Sequence, residues 1–547
     1  MRSLNRVCRA LAGLWHDRGG NFAMITALAA VPMVGAAGLA VDYANLSRTR
    51  TELQNALDAA ALAVAQRGDD ISDAEARSIA GAFLTGNLTP AYRNLEVARN
   101  GTSVTLRAEA PTPLSFGGLF GWSEMAISAS STADMAFANY EIALVLDTTR
   151  SMRENGKLQA MKDAVNGLID DLSARVTDRE RLKFALVPFA TFVNVGPQFG
   201  PKFDSDGKIK PGTGAEWLDL EGESPIRFDG ARGLSRFEIA HELRQDWKGC
   251  VETRWQPDAG KPAHDVSDTP AEGSDSSSLF VPAFAPDEPD SYGNSYISYS
   301  SDPLRDPTKW DVTAKKLDKY GLKNAAAEMR KRRTTDLRGV ANIGPQGWTK
   351  PTTNYSSGRG PSHSCGTQPI TPLSNDYADL KRKVNAFVAD GNTNIMEGVA
   401  WGMRVLSPQE PFTEGREPAP DVEKIMIVLT DGANNLGVTG SSNVFRSAYS
   451  SFGYLIDNRL TTRRSTRDVT EAMNQKTRQA CENAKGENND EIIVYTIRLE
   501  EPDVATGTLL RDCATSPGHY FDSPSRSQLD EVFKRIRDGI TKLRLSS

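Results

Sequence analysis

The 547-residue chain is poor in the residues that most often carry chemistry. It has five cysteines and five histidines, and no C-x-x-C pair. His16, His241, His264, His363 and His519 are scattered without metal-ligand spacing, which removes a zinc site of the usual kind. There is no G-x-S-x-G, no G-K-[ST] phosphate loop and no H-E-x-x-H. His241 stands in H-E-L-R-Q, where the second histidine is missing. No nucleophile–base pair can be assembled, so the chain reads as a non-enzyme. Excess positive charge is lacking too: a net charge of −6 gives nucleic acid no electrostatic footprint. Acids are plentiful in the polar tract Asp258–Pro307, but none has the spacing of a calcium-binding EF-hand loop.

Long apolar runs are also rare, and the exception lies near the start. Arg2, Arg6, Arg9 and Arg18 face a single acid, Asp17, across residues 1–21. Phe22–Val41 then runs without a charge, and at ~1.5 Å per residue a helix of that length just spans a bilayer core of about 30 Å. The arginines place residues 1–21 in the cytoplasm and the chain after Asp42 outside. A cleaved secretory signal, cut after G-L-A, would export the same chain. The length of the run favours an uncleaved anchor, because the helical pattern continues through Tyr43–Gln66. There Leu46, Leu53, Leu57, Ala60 and Val64 share one helical face. Strand candidates follow at Leu95–Val97, Ser103–Ala108 and Met125–Ala133. A membrane helix, an amphipathic stem and a small strand-rich region over 42–138 resemble the start of the Tad/Flp pilus-assembly proteins. The Gly19-Gly20-Asn21 start and the D-Y-A after the span are most similar to the TadG-like branch. Processed pilins carry a glutamate near the start of the apolar helix, and Phe22–Val41 has none.

The stretch around which the remainder is organised is Tyr140–Ser151, Y-E-I-A-L-V-L-D-T-T-R-S. Its apolar run has the length of a buried parallel strand, and it ends in Asp147, Thr148, Thr149 and Ser151. In an open α/β sheet, ligands bind at the carboxyl ends of strands. Asp147, Thr149 and Ser151 alternate along the loop, which lets three oxygens converge on one hard cation. Two later segments add to them. Helical Asp376–Val388 is followed by the turn Asp390-Gly391-Asn392-Thr393-Asn394, and the apolar strand Lys424–Leu429 ends in Thr430-Asp431-Gly432.

These three segments, in this order, resemble the von Willebrand factor type A domain and its metal-ion-dependent adhesion site, written D-x-[ST]-x-S, then Thr, then Asp. The resemblance implies that Thr149, Ser151 and Thr393 offer hydroxyl ligands. Asp147 and Asp431 would bind directly or through water. The implied cofactor is a divalent cation, Mg2+ first, with Mn2+ or Ca2+ as alternatives. Arg150 departs from the glycine common in bacterial members; a guanidinium ~4 Å from a dication in water costs about 1 kcal/mol per unit-charge pair. The competing reading is that the hydroxyls merely cap the loop and the following helix.

The alternation of strands and helices from 139 to 547 predicts an α/β fold with a doubly wound parallel sheet. It runs through a helix at Leu158–Leu172, a strand region at Arg181–Val195, helix Val469–Ala484, strand Glu491–Leu499, a short strand at His519–Phe521 and helix Gln528–Leu543. Two insertions interrupt it, 196–375 and 436–466. Within the first, Asp258–Pro307 is too polar to form a core of its own and reads as loop or locally disordered, and Lys309–Arg333 as a basic helix. Cys8 precedes the apolar span, and Cys250, Cys365, Cys481 and Cys513 follow it. That suits one thiol and two disulfides, or five isolated thiols. Cys481 ends one helix and Cys513 lies in the turn after the next strand, so 481–513 is the expected pair. Cys250 and Cys365, flanking the long insertion, make the other.

The functional expectation is a single-pass protein of a bacterial inner membrane, with most of the chain periplasmic. It would act in pilus assembly by binding an envelope or pilus component through an acidic side chain of that partner. A surface-exposed adhesin for host or matrix ligands is the alternative. An accessory subunit of a metal-dependent complex is a third reading, which the export segment opposes.

Overall fold

The computed structural model describes residues 20–67, 71–89, 91–100, 103–134, 139–176, 178–227, 233–255, 263–288, 293–298, 320, 352–353, 358–419, 421–439, 445–486, 491–523 and 525–543. The chain forms two compact units, one up to Phe137 and one from Ala138 to Leu543.

The first unit begins with a single long helix, α1 (Gly20–Ala65). Its first half exposes Ile25, Leu28, Val31, Val34 and Leu39, and among the described residues it is the one helix long and apolar enough to cross a membrane. Its second half is amphipathic, with Leu53, Leu57, Ala60 and Val64 fully buried. They pack against α2 (Asp73–Asn87), whose Ser72 caps the helix by accepting from Glu75 N at 3.2 Å. The other wall is an antiparallel meander of β1 (Arg93–Asn100), β2 (Ser103–Pro113) and β3 (Glu124–Asp134). The period of two is clean in β2: Val104, Leu106, Ala108 and Ala110 face the helices while the residues between them do not.

The second unit runs β4 (Asn139–Asp147), α3 (Lys157–Ser173), β5 (Leu182–Phe189), α4 (Arg236–Glu242), β6 (Ile297–Ser298), β7 (Thr352–Thr353), β8 (Thr371–Ser374), α5 (Tyr377–Asn385), α6 (Ile395–Leu406), β9 (Val422–Thr430), α7 (Thr466–Lys485), β10 (Ile493–Leu499), α8 (Val504–Cys513), β11 (Tyr520–Ser523) and α9 (Leu529–Leu543). Six strands form one sheet in the order β11-β10-β9-β4-β5-β8, while β6 and β7 pair separately. β4 lies between β5 and β9, both parallel to it. Its residues point alternately to two cores. Ile142, Leu144 and Leu146 join α3, α5 and α9; Ala143 and Val145 join α6 and α7. Two buried faces explain why the strand is apolar throughout.

The expected parallel sheet carries one antiparallel strand at its edge. β8 runs antiparallel to β5, because it enters directly from the long insertion and not through a crossover helix. The insertion itself differs more. Much of the described part of Asp258–Pro307 is buried in the domain: Val266 and Phe280 lie in the same core as Trp401, and Phe284, Tyr296 and Ile297 are buried too. A polar tract need not build its own core when a few apolar residues can dock on an existing one. Of the expected helix Lys309–Arg333, only Tyr320 lies within the described residues. Cys250 is bonded to Cys365 with Cα atoms 5.9 Å apart, and Cys481 to Cys513 with Cα atoms 5.1 Å apart. Cys8 lies outside the described residues.

Candidate functional site

Three loops meet at the carboxyl edge of the sheet. The first leaves β4 at Asp147, a fully buried carboxylate. Its Oδ1 accepts from Thr149 N at 2.8 Å and its Oδ2 from Thr430 Oγ1 at 2.6 Å. The second loop, Asp390–Asn394, joins α5 to α6 and is held against the first by Asp390 N donating to Thr148 O (2.8 Å) and Arg150 N donating to Gly391 O (3.1 Å). Gly391 has φ +92°, and a Cβ there would stand 2.8 Å from Thr191 Oγ1, so the turn requires glycine. The third loop follows β9 through Thr430, Asp431 and Gly432, and Asn435 N donates to Thr393 O at 2.9 Å, joining third loop to second.

The hydroxyls and carboxylates of these loops are linked. Ser151 Oγ donates to Asp431 Oδ1 at 2.6 Å, and Thr149 Oγ1 lies 3.0 Å from Ser151 Oγ. A serine has one proton to give, so Thr149 is the donor to Ser151. A side chain built on Gly432 would begin 3.3 Å from Thr393 Oγ1 and 3.7 Å from Ser151 Oγ, which places Thr393 beside the same cluster. The fold therefore brings all five sequence-derived residues, Asp147, Thr149, Ser151, Thr393 and Asp431, to one place. Arg150 does not enter it. Its side chain is 74% exposed and reaches Asp390 Oδ1 at 3.3 Å, with Arg153 3.4 Å from the same oxygen.

Two residues of the site were not singled out from sequence. Thr430 supplies the second hydrogen bond to Asp147; it stood in view as the residue before Asp431. Lys157, the first residue of α3, is buried and places Nζ 2.9 Å from Asp431 Oδ2. Nothing in the spacing from Asp147 signals that a lysine ten residues on folds back over the loop. Burial, and then the nearby Asp431 carboxylate, push Asp147 up to about 7, and the Thr149 and Thr430 hydrogen bonds oppose this only in part.

Hydroxyl and carboxylate oxygens are hard donors, the set that suits Mg2+, Mn2+ or Ca2+ over softer metals. The two buried carboxylates face a single balancing ammonium, that of Lys157. The residues present thus fit a divalent cation. Among the described residues no group of three or more His, Cys, Asp or Glu is placed for a metal, so a cation here would rely on the hydroxyls.

The strand order, the central aspartate-bearing strand and the three converging loops make an α/β domain with a mostly parallel sheet, the architecture expected from the resemblance to the von Willebrand factor type A domain. Residues 20–67, the helix that begins the first unit, match a family model described as putative Flp pilus-assembly TadE/G-like. No curated protein matches the chain. Among solved structures, the pilus adhesin SpaC from Lactobacillus rhamnosus GG in its open conformation is similar at 10% identity and a TM-score of 0.30, over 82% of this chain and 34% of that one. The von Willebrand factor domain of the type V pili tip protein Mfa5 from Porphyromonas gingivalis is similar at 9% identity and a TM-score of 0.31, over 74% of this chain and 96% of that one. A von Willebrand factor type A protein from Catenulispora acidiphila gives 11% identity and a TM-score of 0.26, over 82% and 49%. The chain thus spans about a third of SpaC and about half of the Catenulispora protein.

Proposed function

We propose that the chain is a membrane-anchored component of pilus assembly whose second unit takes up a divalent cation, Mg2+ first, and holds a partner protein through an acidic side chain of that partner. The observation that carries this reading is the run of hydrogen bonds from Thr149 through Ser151 to Asp431, which gathers oxygens from separate loops at the sheet's carboxyl edge. The match of residues 20–67 supports the pilus context.

When bound, the cation would attract a carboxylate more strongly than an ordinary surface ion pair, which contributes ~0–1 kcal/mol. The chain's own residues set the rest. Thr149, Ser151 and Thr393 would turn their hydroxyl oxygens to the cation, and Asp147 and Asp431 would bind it directly or through water. Asp147 is held by Thr149 N and Thr430 Oγ1, so its oxygens are oriented beforehand. The arginine-rich start supports an inner-membrane protein with its N-terminus in the cytoplasm and the second unit in the periplasm.

Calorimetry of the detergent-solubilised full chain with Mg2+ and Mn2+ tests the reading. The wild type should take up one dication, and Asp147→Ala should take up none and fail to support piliation, with circular dichroism unchanged. A wild type that takes up neither metal, or a folded Asp147→Ala protein that still supports piliation, would overturn it. A periplasm-specific reporter fused after Ser547 should be active; activity of a cytoplasm-specific reporter there would overturn the orientation.

A further inference from the structure

The loop between β2 and β3 is unusual in composition for a hairpin tip. Leu114–Ser123 reads L-S-F-G-G-L-F-G-W-S, with four large apolar residues besides Leu114 and no charge. Soluble hairpin tips are polar, because nothing covers them. Here Trp122 is 63% exposed and Met125, at the start of β3, is 42% exposed.

The same loop is fastened to α1 at the end of its apolar run. Asp42, 4% exposed, accepts three backbone hydrogen bonds from it: Ser115 N at 2.7 Å, Phe116 N at 3.0 Å and Gly117 N at 2.8 Å. A carboxylate with three charge-assisted partners fixes the loop's position on the helix. One turn earlier, Gly38 makes room for Phe116: a Cβ at Gly38 would stand 2.5 Å from Phe116 Cγ. Gly38 lies inside the uncharged run Phe22–Val41, and at 1.5 Å per residue about 6 Å along the axis from Asp42.

These two attachments fix the depth of the loop. If Phe22–Val41 spans a bilayer, the Phe116 ring sits about 6 Å below the first charged residue, the depth at which interfacial apolar faces lie in the headgroup–acyl boundary. Trp122 N donates to Gly117 O at 3.1 Å, so its exposed indole belongs to the segment that Asp42 holds, and tryptophans concentrate at the membrane interface. We infer that the β2–β3 loop is a second membrane contact, inserting Phe116 and Trp122 into the interface of the leaflet next to Asp42. The ligand is the lipid surface itself. A helix alone could rotate and tilt; a wedge tied to it by Asp42 would fix how the first unit stands on the membrane.

The inference rests on the span and not on the metal reading, and both parts are tested together. On a Cys8→Ser background the remaining cysteines are paired, so a single introduced cysteine takes a fluorescent label. The full chain carrying Trp122→Cys, Leu28→Cys or Arg77→Cys is labelled and reconstituted into phosphatidylethanolamine–phosphatidylglycerol vesicles. The probes are a phosphatidylcholine with a nitroxide near the top of its acyl chain, and aqueous iodide. The label at 122 should lose fluorescence to the nitroxide lipid and be spared by iodide, like that at 28; the label at 77, an exposed position of α2, should do the reverse. Adding Gly38→Leu, which collides with Phe116, should cost position 122 its lipid quenching and leave position 28 unchanged. A label at 122 open to iodide, or shielded from both quenchers as by a second protein, overturns the loop contact. A label at 28 untouched by the lipid overturns the span and the loop contact with it.

Discussion

Lys157 decides how the oxygen cluster is balanced. Its ammonium is buried against Asp431, and a buried pair broken from one side costs about 3–5 kcal/mol because the remaining charge is stranded. A bound dication would then compete with the ammonium for Asp431. Lys157→Met should lower the melting temperature in a chelating buffer, and Mn2+ or Mg2+ should restore more of it than they add to the wild type. Thermal unfolding with and without metal reads both effects; equal gains in the two proteins would show that Lys157 and the cation do not share Asp431. Glu397 on α6 offers a separate prediction. Burial pushes its carboxyl above the usual glutamate range, although Arg404, Thr253, Ser451 and Trp401 pull the other way. A folded value above the unfolded one means that the group's contribution to stability is present at low pH and is lost as pH rises through the folded value. Glu397→Gln has no such charge to bury. Its stability relative to wild type should therefore improve from acid to mildly alkaline pH, as read from urea midpoints; a constant difference would contradict the assignment.

Helix α6 sets where Thr393 sits, and it does so through two glycines. A Cβ at Gly398 would stand 2.7 Å from Phe189 Cδ1, and one at Gly402 would stand 2.6 Å from Val145 Cγ2 and 3.0 Å from Met426 Sδ. The helix thus lies against β4, β5 and β9 with no space for side chains at those points, and its N-terminus is pinned by Asn434 Oδ1 accepting from Ile395 N at 2.9 Å. Gly402→Leu should destabilise the second unit by about 1–3 kcal/mol or more through overpacking. Denaturant unfolding would show it, and an unchanged midpoint would mean that the helix can slide. Elements of this kind were legible in sequence where a rule of local physics applied. The run before Asp147 reads as a strand because two faces are buried, and the turn at Gly391 reads as a turn. Edge strand β8 was not legible, since four residues that alternate in burial carry almost no periodic signal. Lys157 was hidden for another reason: its partner Asp431 is distant in sequence, and only the folded loop brings them together.

At the scale of the molecule, the long insertion belongs to the domain it interrupts. Composition suggested a tract that could not support itself. Phe280 and Val266 nevertheless share a core with Trp401, Arg459 reaches back to Glu252, and Thr253 bonds to Ser451 of the second insertion at 2.8 Å. Sequence reading misses this because docking depends on a surface made elsewhere in the chain. Cys250–Cys365 closes a loop with a separation of 115 residues around most of this material. Cys250 is also fixed without the bond, being fully buried and flanked by Val195 N donating to Gly249 O at 2.8 Å. Removing the disulfide should therefore leave the folded state in place and act on the unfolded chain, which regains the entropy of an open loop, about 4–5 kcal/mol in the chain-entropy model. The double substitution Cys250→Ser with Cys365→Ser should lower the guanidinium midpoint. It should also steepen the transition, because the unfolded state without the cross-link exposes more surface. A lowered midpoint with an unchanged slope would place the loss in the native packing around Phe192 and Tyr449, which share a cluster with Cys250. An unmoved midpoint would mean that the insertion's non-covalent docking already holds the loop closed in the unfolded ensemble.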